Sequence, residues 1–320
     1  MPKPKKIVVY WLLSVFICLS ACNGKVHQSS STKPVVKIGY LPITHAAPLF
    51  LGSYVNTGIS NTYEVELIKF NSWPDLMDAL NAGRIDGASV LIQLAMKAKE
   101  KGIDLKAVAL GHQDGNVLIS AKDIEGVEDL KGETFAIPHT YSTHHLLLNE
   151  LLRKEGLTNK DVNIVELPPA EMPAALAEER ISGYVVAEPF GALAINLDIG
   201  KVLTFSESFW PNSYCCVLVL RGEFIDENTD VANDFMKDYV DAGSEAHKKE
   251  DNLYAALNQF MNVDKEVLEL SLEWISFDYL RIEEEEYNKL RDRVIRLELM
   301  ESPPQYDEFV ENSLIDWTNR

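Results

Sequence analysis

Five of the seven histidines, His45, His112, His139, His144 and His145, fall in short segments that follow strand-like runs. An imidazole in such a place donates to an anion, coordinates a metal, or hydrogen-bonds a polar headgroup. A single loop histidine is more often a plain surface residue. His144 and His145 do not share one ion, because adjacent helical residues point about 100° apart. Cys215 and Cys216 are the only cysteines beyond Cys22, and as neighbours in a strand they are expected to face opposite sides. With no His-Glu-x-x-His spacing and no paired thiolates, the expectation is no metal, no cofactor and no disulfide framework. No nucleophile, base and orienting group stand in a legible order, so these residues do not point to an enzyme.

Alternating strand and helix patterns must position these side chains. Residues 35–41 read as a buried strand, 48–54 as a helix, 63–70 (YEVELIKF) as a half-buried alternating strand and 73–80 as a helix. Residues 87–90, 105–110 and 116–121 are strand-like, and 91–101 form an amphipathic helix. The alternation predicts βα units, hence an α/β fold with a mainly parallel sheet. Farther on, 224–249, 252–261 and 264–274 are helical, and an acidic amphipathic helix covers 285–299. The acidic run Glu283 to Glu286 suits a solvated helix start.

The same order recurs at a constant offset of about 96 residues, as internal repeats do. Leu41-Pro42-Ile43-Thr44 faces Ile137-Pro138-His139-Thr140, and Ala79-Leu80, Arg84-Ile85, Gly87 and Val90 face Ala175-Leu176, Arg180-Ile181, Gly183 and Val186. Two lobes of similar topology follow, the alternative being two ordinary βα units that share turn chemistry. In open α/β sheets, ligands bind beyond the carboxyl ends of the strands, near helix N-termini. Thr44 and Thr140 occupy that position in their lobes, to cap the following helix or to bond a ligand.

The N-terminus sets the compartment. Lys3, Lys5 and Lys6 precede an apolar run over 7–21 of signal-peptide length, too short for a comfortable bilayer span. Leu19-Ser20-Ala21-Cys22 resembles a bacterial lipobox, in which Cys22 is lipidated and becomes the mature N-terminus; the alternative is an uncleaved signal or plain anchor. Either way the remainder works outside the cytoplasm. Residues 23–34 are polar and unpatterned, as a tether is. The 49 acidic against 30 basic side chains give a formal charge of −19, and loss of the leader lysines makes it more negative. Such a field argues against nucleic acid and against adhesion to anionic lipid, so the lipid would hold the protein at its membrane.

Lys37-Ile38-Gly39-Tyr40-Leu41-Pro42-Ile43-Thr44-His45-Ala46-Ala47-Pro48-Leu49 resembles the opening of the nitrate/sulfonate/taurine class of ABC-importer substrate-binding proteins. Leu167-Pro168-Pro169-Ala170-Glu171-Met172, Ile181-Ser182-Gly183-Tyr184 and Ala187-Glu188-Pro189-Phe190 are similar to the second-lobe signature of its nitrate- and bicarbonate-binding branch. Ser72-Trp73, Arg84-Ile85-Asp86-Gly87 and Thr143-His144 add to the match, which covers about 37–191. The resemblance implies a type II periplasmic-binding-protein fold, two lobes with a ligand cleft between them. It divides the chain into a leader (1–21), a tether (22–34), a first lobe (35–120), a second lobe (121–215), and a return crossing with helices that complete the first lobe (216–320). It implies a monomer whose partners are a small solute, an ABC permease and its ATPase. Carried residue by residue, it points to Thr44, His45, Trp73, Ser89, Asn116, Thr143, His144 and Glu188, with His139 and Thr140 on the same rim. Trp73 has a plain reading as core and Glu188 as a helix cap.

One departure bears on the cargo. Where the nitrate branch is expected to carry a basic residue, the stretch reads Trp210-Pro211-Asn212-Ser213-Tyr214-Cys215-Cys216. A buried unpaired anion costs several kcal/mol. Nitrate is therefore disfavoured, and a sulfonate, carboxylate or nitrogen heterocycle held by histidines, amides and Trp73 is expected. The alternatives are a sensory lipoprotein without transport, and an enzyme of pyrimidine or menaquinone-precursor chemistry on the same fold.

Overall fold

The protein is described by a computed structural model over residues 33–55 and 62–318; Cys22 and most of the expected tether lie outside these residues. In chain order the strands are β1 (Val35–Tyr40), β2 (Glu64–Lys69), β3 (Gly87–Leu91), β4 (Leu105–Leu110), β5 (Gln113–Asp114), β6 (Asn116–Ser120), β7 (Thr134–Ile137), β8 (Asn163–Glu166), β9 (Gly183–Ala187), β10 (Lys201–Phe205), β11 (Cys216–Arg221) and β12 (Ile275–Ser276). Interleaved with them are α1 (Ala47–Val55), α2 (Trp73–Asn81), α3 (Ile92–Glu100), α4 (Thr143–Lys154), α5 (Met172–Ala177) and α6 (Phe190–Asn196). After β11 come α7 (Gly222–Glu227), α8 (Thr229–His247), α9 (Asp251–Met261), α10 (Lys265–Glu273) and α11 (Glu284–Arg296).

Two five-stranded sheets form, in the orders β2-β1-β3-β11-β4 and β8-β7-β9-β6-β10. In each, the first three strands pair parallel and the fourth pairs antiparallel with both neighbours. Four strands of each sheet thus share a direction, as βα units require, and the crossing chain inserts the reversed one. The two lobes have one topology, and the offset anchors fall on equivalent places. Gly87 opens β3 and Gly183 opens β9, and a Cβ on either would run into a neighbouring strand's carbonyl, Val219 or Ile119. β3, β6 and β9 are buried along their whole lengths, and apart from Asn116 of β6 their residues are small or apolar on both faces.

Helix starts follow local chemistry. Ser72 caps α2, accepting from Asp75 N–H at 3.3 Å, and Ser142 caps α4, accepting from His145 N–H at 3.1 Å. The expected single helix over 224–249 is two, because Asn228 leaves helical geometry (φ −132°, ψ 42°) and its amide donates back to Phe224 O. α8 and α9 return to pack on α1, and β11 lies inside the first sheet. Among the described residues no helix is long and apolar enough to cross a membrane.

Candidate functional site

Three backbone segments converge beyond the carboxyl edge of the first sheet. The loop after β1 carries Thr44 and His45. The link from β4 to β6 carries His112 and Asn116. The return segment enters β11 at Cys216, and because β11 runs antiparallel its first residues lie beside the carboxyl ends of β3 and β4, with Cys216 paired to Leu91 and Val217 to Leu110. Gly111 lets the three meet: its N–H donates to Cys216 O at 2.8 Å, and a Cβ there would stand 2.6 Å from His45 O. The crossing then turns through Asp114 (φ 58°) and Gly115 (φ 74°), pinned by the short β5–β12 ladder.

That turn aims two carbonyls at two histidines. His45 Nε2 lies 3.1 Å from Gly115 O and His112 Nδ1 lies 2.8 Å from Asp114 O. A carbonyl only accepts, so those nitrogens carry the protons and the other nitrogens, His45 Nδ1 and His112 Nε2, present lone pairs. The rings lie 3.5 Å apart between centroids. His45 Nδ1 is 3.5 Å from Cys216 Sγ, Cys216 Sγ is 3.8 Å from Cys215 Sγ, and Cys215 Sγ is 3.8 Å from His144 Nε2.

This corrects the expectation that the two cysteines face apart. The strand begins at Cys216, so Cys215 belongs to the incoming segment, where the two-residue alternation of a strand does not apply. Both thiols are free and buried.

Residues of the second lobe meet this edge. Thr44 N–H and Oγ1 donate to Glu188 O at 2.8 and 3.1 Å, and Ser271 of α10 donates to Thr44 Oγ1. Gln93 at the start of α3 donates to Thr143 Oγ1 at 2.6 Å, and Thr143 in turn donates to Tyr214 O. Thr44, His45, Gln93, His112, Asn116, Thr143, His144 and Glu188 are buried.

Of the residues picked from sequence, the structure brings Thr44, His45, Asn116, Thr143, His144 and Glu188 to the lobe boundary. Thr44 does not cap a helix side chain to backbone; it ties the lobes. Trp73, in the first turn of α2, is packed in the core, with its indole N–H buried and unpartnered. Ser89 lies within β3, buried and likewise unpartnered. Glu188 caps α6 through Oε2, which accepts from Ala192 N–H at 3.0 Å, while Oε1 has no partner. His139 and Thr140 stand apart, half-buried: His139 Nδ1 accepts from Tyr141 N–H, and Thr140 bonds Glu166. Thr140 thus bonds within the second lobe, where Thr44 bonds across the lobes. His112, one of the five loop histidines, and the Cys215-Cys216 pair belong to the cluster; their shared origin in the two crossings was the available signal.

Burial sets the electrostatics. It lowers the His45 imidazole well below its ordinary value, helped by His112 and His144. It lowers His112 to about 4 and His144 to about 3, so all three are neutral near pH 7. Burial raises Glu188 to about 8 against the hydrogen bonds from Ala192 and Gly191, and raises the Cys215 thiol well above its usual value. Among the described residues no lysine or arginine is buried. The boundary is a polar, nearly uncharged interior.

Comparison with known proteins agrees with this architecture. The model of the NMT1-like family matches residues 29–257. A nitrate/nitrite binding protein of Nostoc sp. (strain PCC 7120) is 26% identical over 268 residues, covering 72% of this chain and 57% of its own. The taurine-binding periplasmic protein of Escherichia coli (strain K12) is 33% identical over 185 residues, 56% of each chain. A solved ligand-binding component of an ABC-type import system from Staphylococcus aureus, with zinc bound, is 46% identical at a TM-score of 0.83, covering 89% of this chain and 98% of that one. The chain spans between 32% and 57% of the length of the first curated relatives it matches. The fold is the two-lobed periplasmic-binding-protein fold, and with the family model covering well over half of its residues, the chain belongs to the NMT1-like family.

Proposed function

We propose that the protein is the extracytoplasmic solute-binding component of an ABC importer. Held at the membrane by a lipid on Cys22, it captures a small solute by lobe closure and hands it to a permease driven by its ATPase. The observation that carries this reading is the set of buried polar atoms without partners at the boundary: His112 Nε2, both amide atoms of Asn116, His144 Nδ1 and Glu188 Oε1. Folded interiors pair nearly all such atoms, so their concentration at one boundary marks where another molecule supplies the partners. The similarity to binding components of import systems supports binding over turnover and transport over sensing.

The cargo is one that needs no buried cation from the protein. Nitrate, fully ionised, does not fit neutral histidines and the raised Glu188 carboxyl. Among organic solutes, a zwitterionic sulfonate, a carboxylic acid taken up neutral, or a nitrogen heterocycle does. A melting-temperature screen over nitrate, taurine, alkanesulfonates, carboxylates and pyrimidines tests this. One ligand is expected to raise the melting temperature of the native chain and not of the His144→Ala/Trp73→Ala variant, by about 2.7 kcal/mol of stabilisation at a hundredfold excess over Kd. Steady chemical conversion of any of them would sink the reading.

A further inference from the structure

The four side chains His45, His112, Cys215 and Cys216 offer one ligand atom each, and those atoms lie within 4.8 Å of one another, all buried. Two features distinguish them from four polar residues that merely share a core. The first is spacing. Zinc held by thiolate at about 2.3 Å and imidazole at about 2.0–2.1 Å in a tetrahedron sets sulfur–sulfur separations of about 3.8 Å and nitrogen–sulfur separations of about 3.6 Å. Cys215 Sγ and Cys216 Sγ are 3.8 Å apart, and Cys216 Sγ and His45 Nδ1 are 3.5 Å apart.

The second is orientation. Metal-bound imidazoles donate their other N–H to a carbonyl or carboxylate, which fixes the ring and its tautomer. His45 does so to Gly115 O and His112 to Asp114 O, from consecutive residues of one turn. The nitrogen this leaves free on His112 is buried and has no partner. Among the described residues nothing satisfies that lone pair, and a cation does.

We propose that His45, His112, Cys215 and Cys216 form a four-coordinate site for a thiophilic divalent metal ion of the zinc type, and that such an ion is the cargo class of the cleft. This names the solute of the same boundary and rests on the reading that the boundary is the capture site. Two imidazoles and two thiolates suit a borderline-soft ion and not calcium or magnesium, which require oxygen ligands. Two thiolates balance a divalent ion, so the filled site is neutral overall. A neutral complex is what an interior without lysine or arginine accommodates, and what a free oxyanion is not. On binding, each cysteine sulfur exchanges its proton for a bond to the metal, and two protons leave to solvent; no electron moves. His144, on the second lobe, is placed to donate Nε2–H to the Cys215 sulfur and so to couple occupancy to closure.

The test is titration of the purified, reduced, metal-free chain with cobalt(II), followed by displacement with zinc. Expected is one ion per chain with the ligand-field bands of a tetrahedral site and a thiolate charge-transfer band, both lost on adding zinc. Cys216→Ser and His112→Ala are each expected to weaken cobalt binding at least tenfold, since loss of an outer partner alone costs about 10–100-fold. Absence of the thiolate band in the native chain overturns the proposal whether or not the variants fold. A spectrum unchanged by Cys216→Ser, with the variant's circular dichroism native, overturns it as well. If the metal fails while an organic solute raises the melting temperature of the native chain alone, capture at the boundary stands and the metal does not; if neither binds there, both fall.

Discussion

Glu188 is the residue on which solution pH acts most directly. Its carboxyl is raised from 4.5 to about 8 in the folded chain, so between these values the folded state keeps a proton that the unfolded state releases. Stability therefore falls as pH rises through that window, by up to about 1.4 kcal/mol per pH unit. Glu188→Gln, which keeps the shape and removes the charge, is expected to flatten this slope; denaturant unfolding between pH 5 and 9 measures it, and equal slopes in both proteins would refute the assignment. Gly111 gives a second residue-scale prediction. Its Cβ position lies 2.6 Å from His45 O, so Gly111→Ala is expected to cost about 1–3 kcal/mol and to weaken ligand binding by displacing the His45 carbonyl. Thr143, Asn116, His144 and Glu188 were legible in sequence because motif order placed them. His112 was visible only as a loop histidine and the cysteines were not joined to it, since His45 and His112 are held by two backbone carbonyls, Gly115 O and Asp114 O, and the cysteine sulfurs reach His45 and His144 from the entry to β11, which no side-chain pattern announces.

α4 presents Thr143 and His144 to the boundary only as well as its first turn is held. Ser142→Ala removes the cap on His145 N–H and is expected to cost about 0.5–2 kcal/mol in unfolding free energy, with a loss of ligand affinity beyond that of a cap removed elsewhere, such as Ser72→Ala on α2. Comparison of the two variants by unfolding and by ligand titration decides it, and equal affinity losses would separate the cap from the site. Most elements were legible because period-2 and period-3.6 patterns alternate cleanly from β1 to β6. Two misreadings have local causes. Asn228 divides α7 from α8 although the apolar period continues across it, and the strand rule was applied one residue early at Cys215, where the chain is still entering β11.

The two lobes share one topology and are tied by hydrogen bonds that exist only when they are together, Thr44 to Glu188 and Gln93 to Thr143. Thr143→Ala leaves the buried Gln93 amide without its acceptor, at a cost of about 1–3 kcal/mol to the closed form alone, so apparent affinity is expected to fall roughly tenfold. The repeat was visible as a constant offset in sequence, whereas the meeting of the lobes depends on contacts between residues far apart in the chain. Capture at this boundary is tested most directly by small-angle scattering of the chain while a ligand that raises its melting temperature is added. A saturable decrease in radius of gyration, at the concentrations that raise the melting temperature and lost in Thr143→Ala at those same concentrations, is the predicted result. A scattering profile that stays constant from the free to the fully bound protein would contradict closure over a ligand.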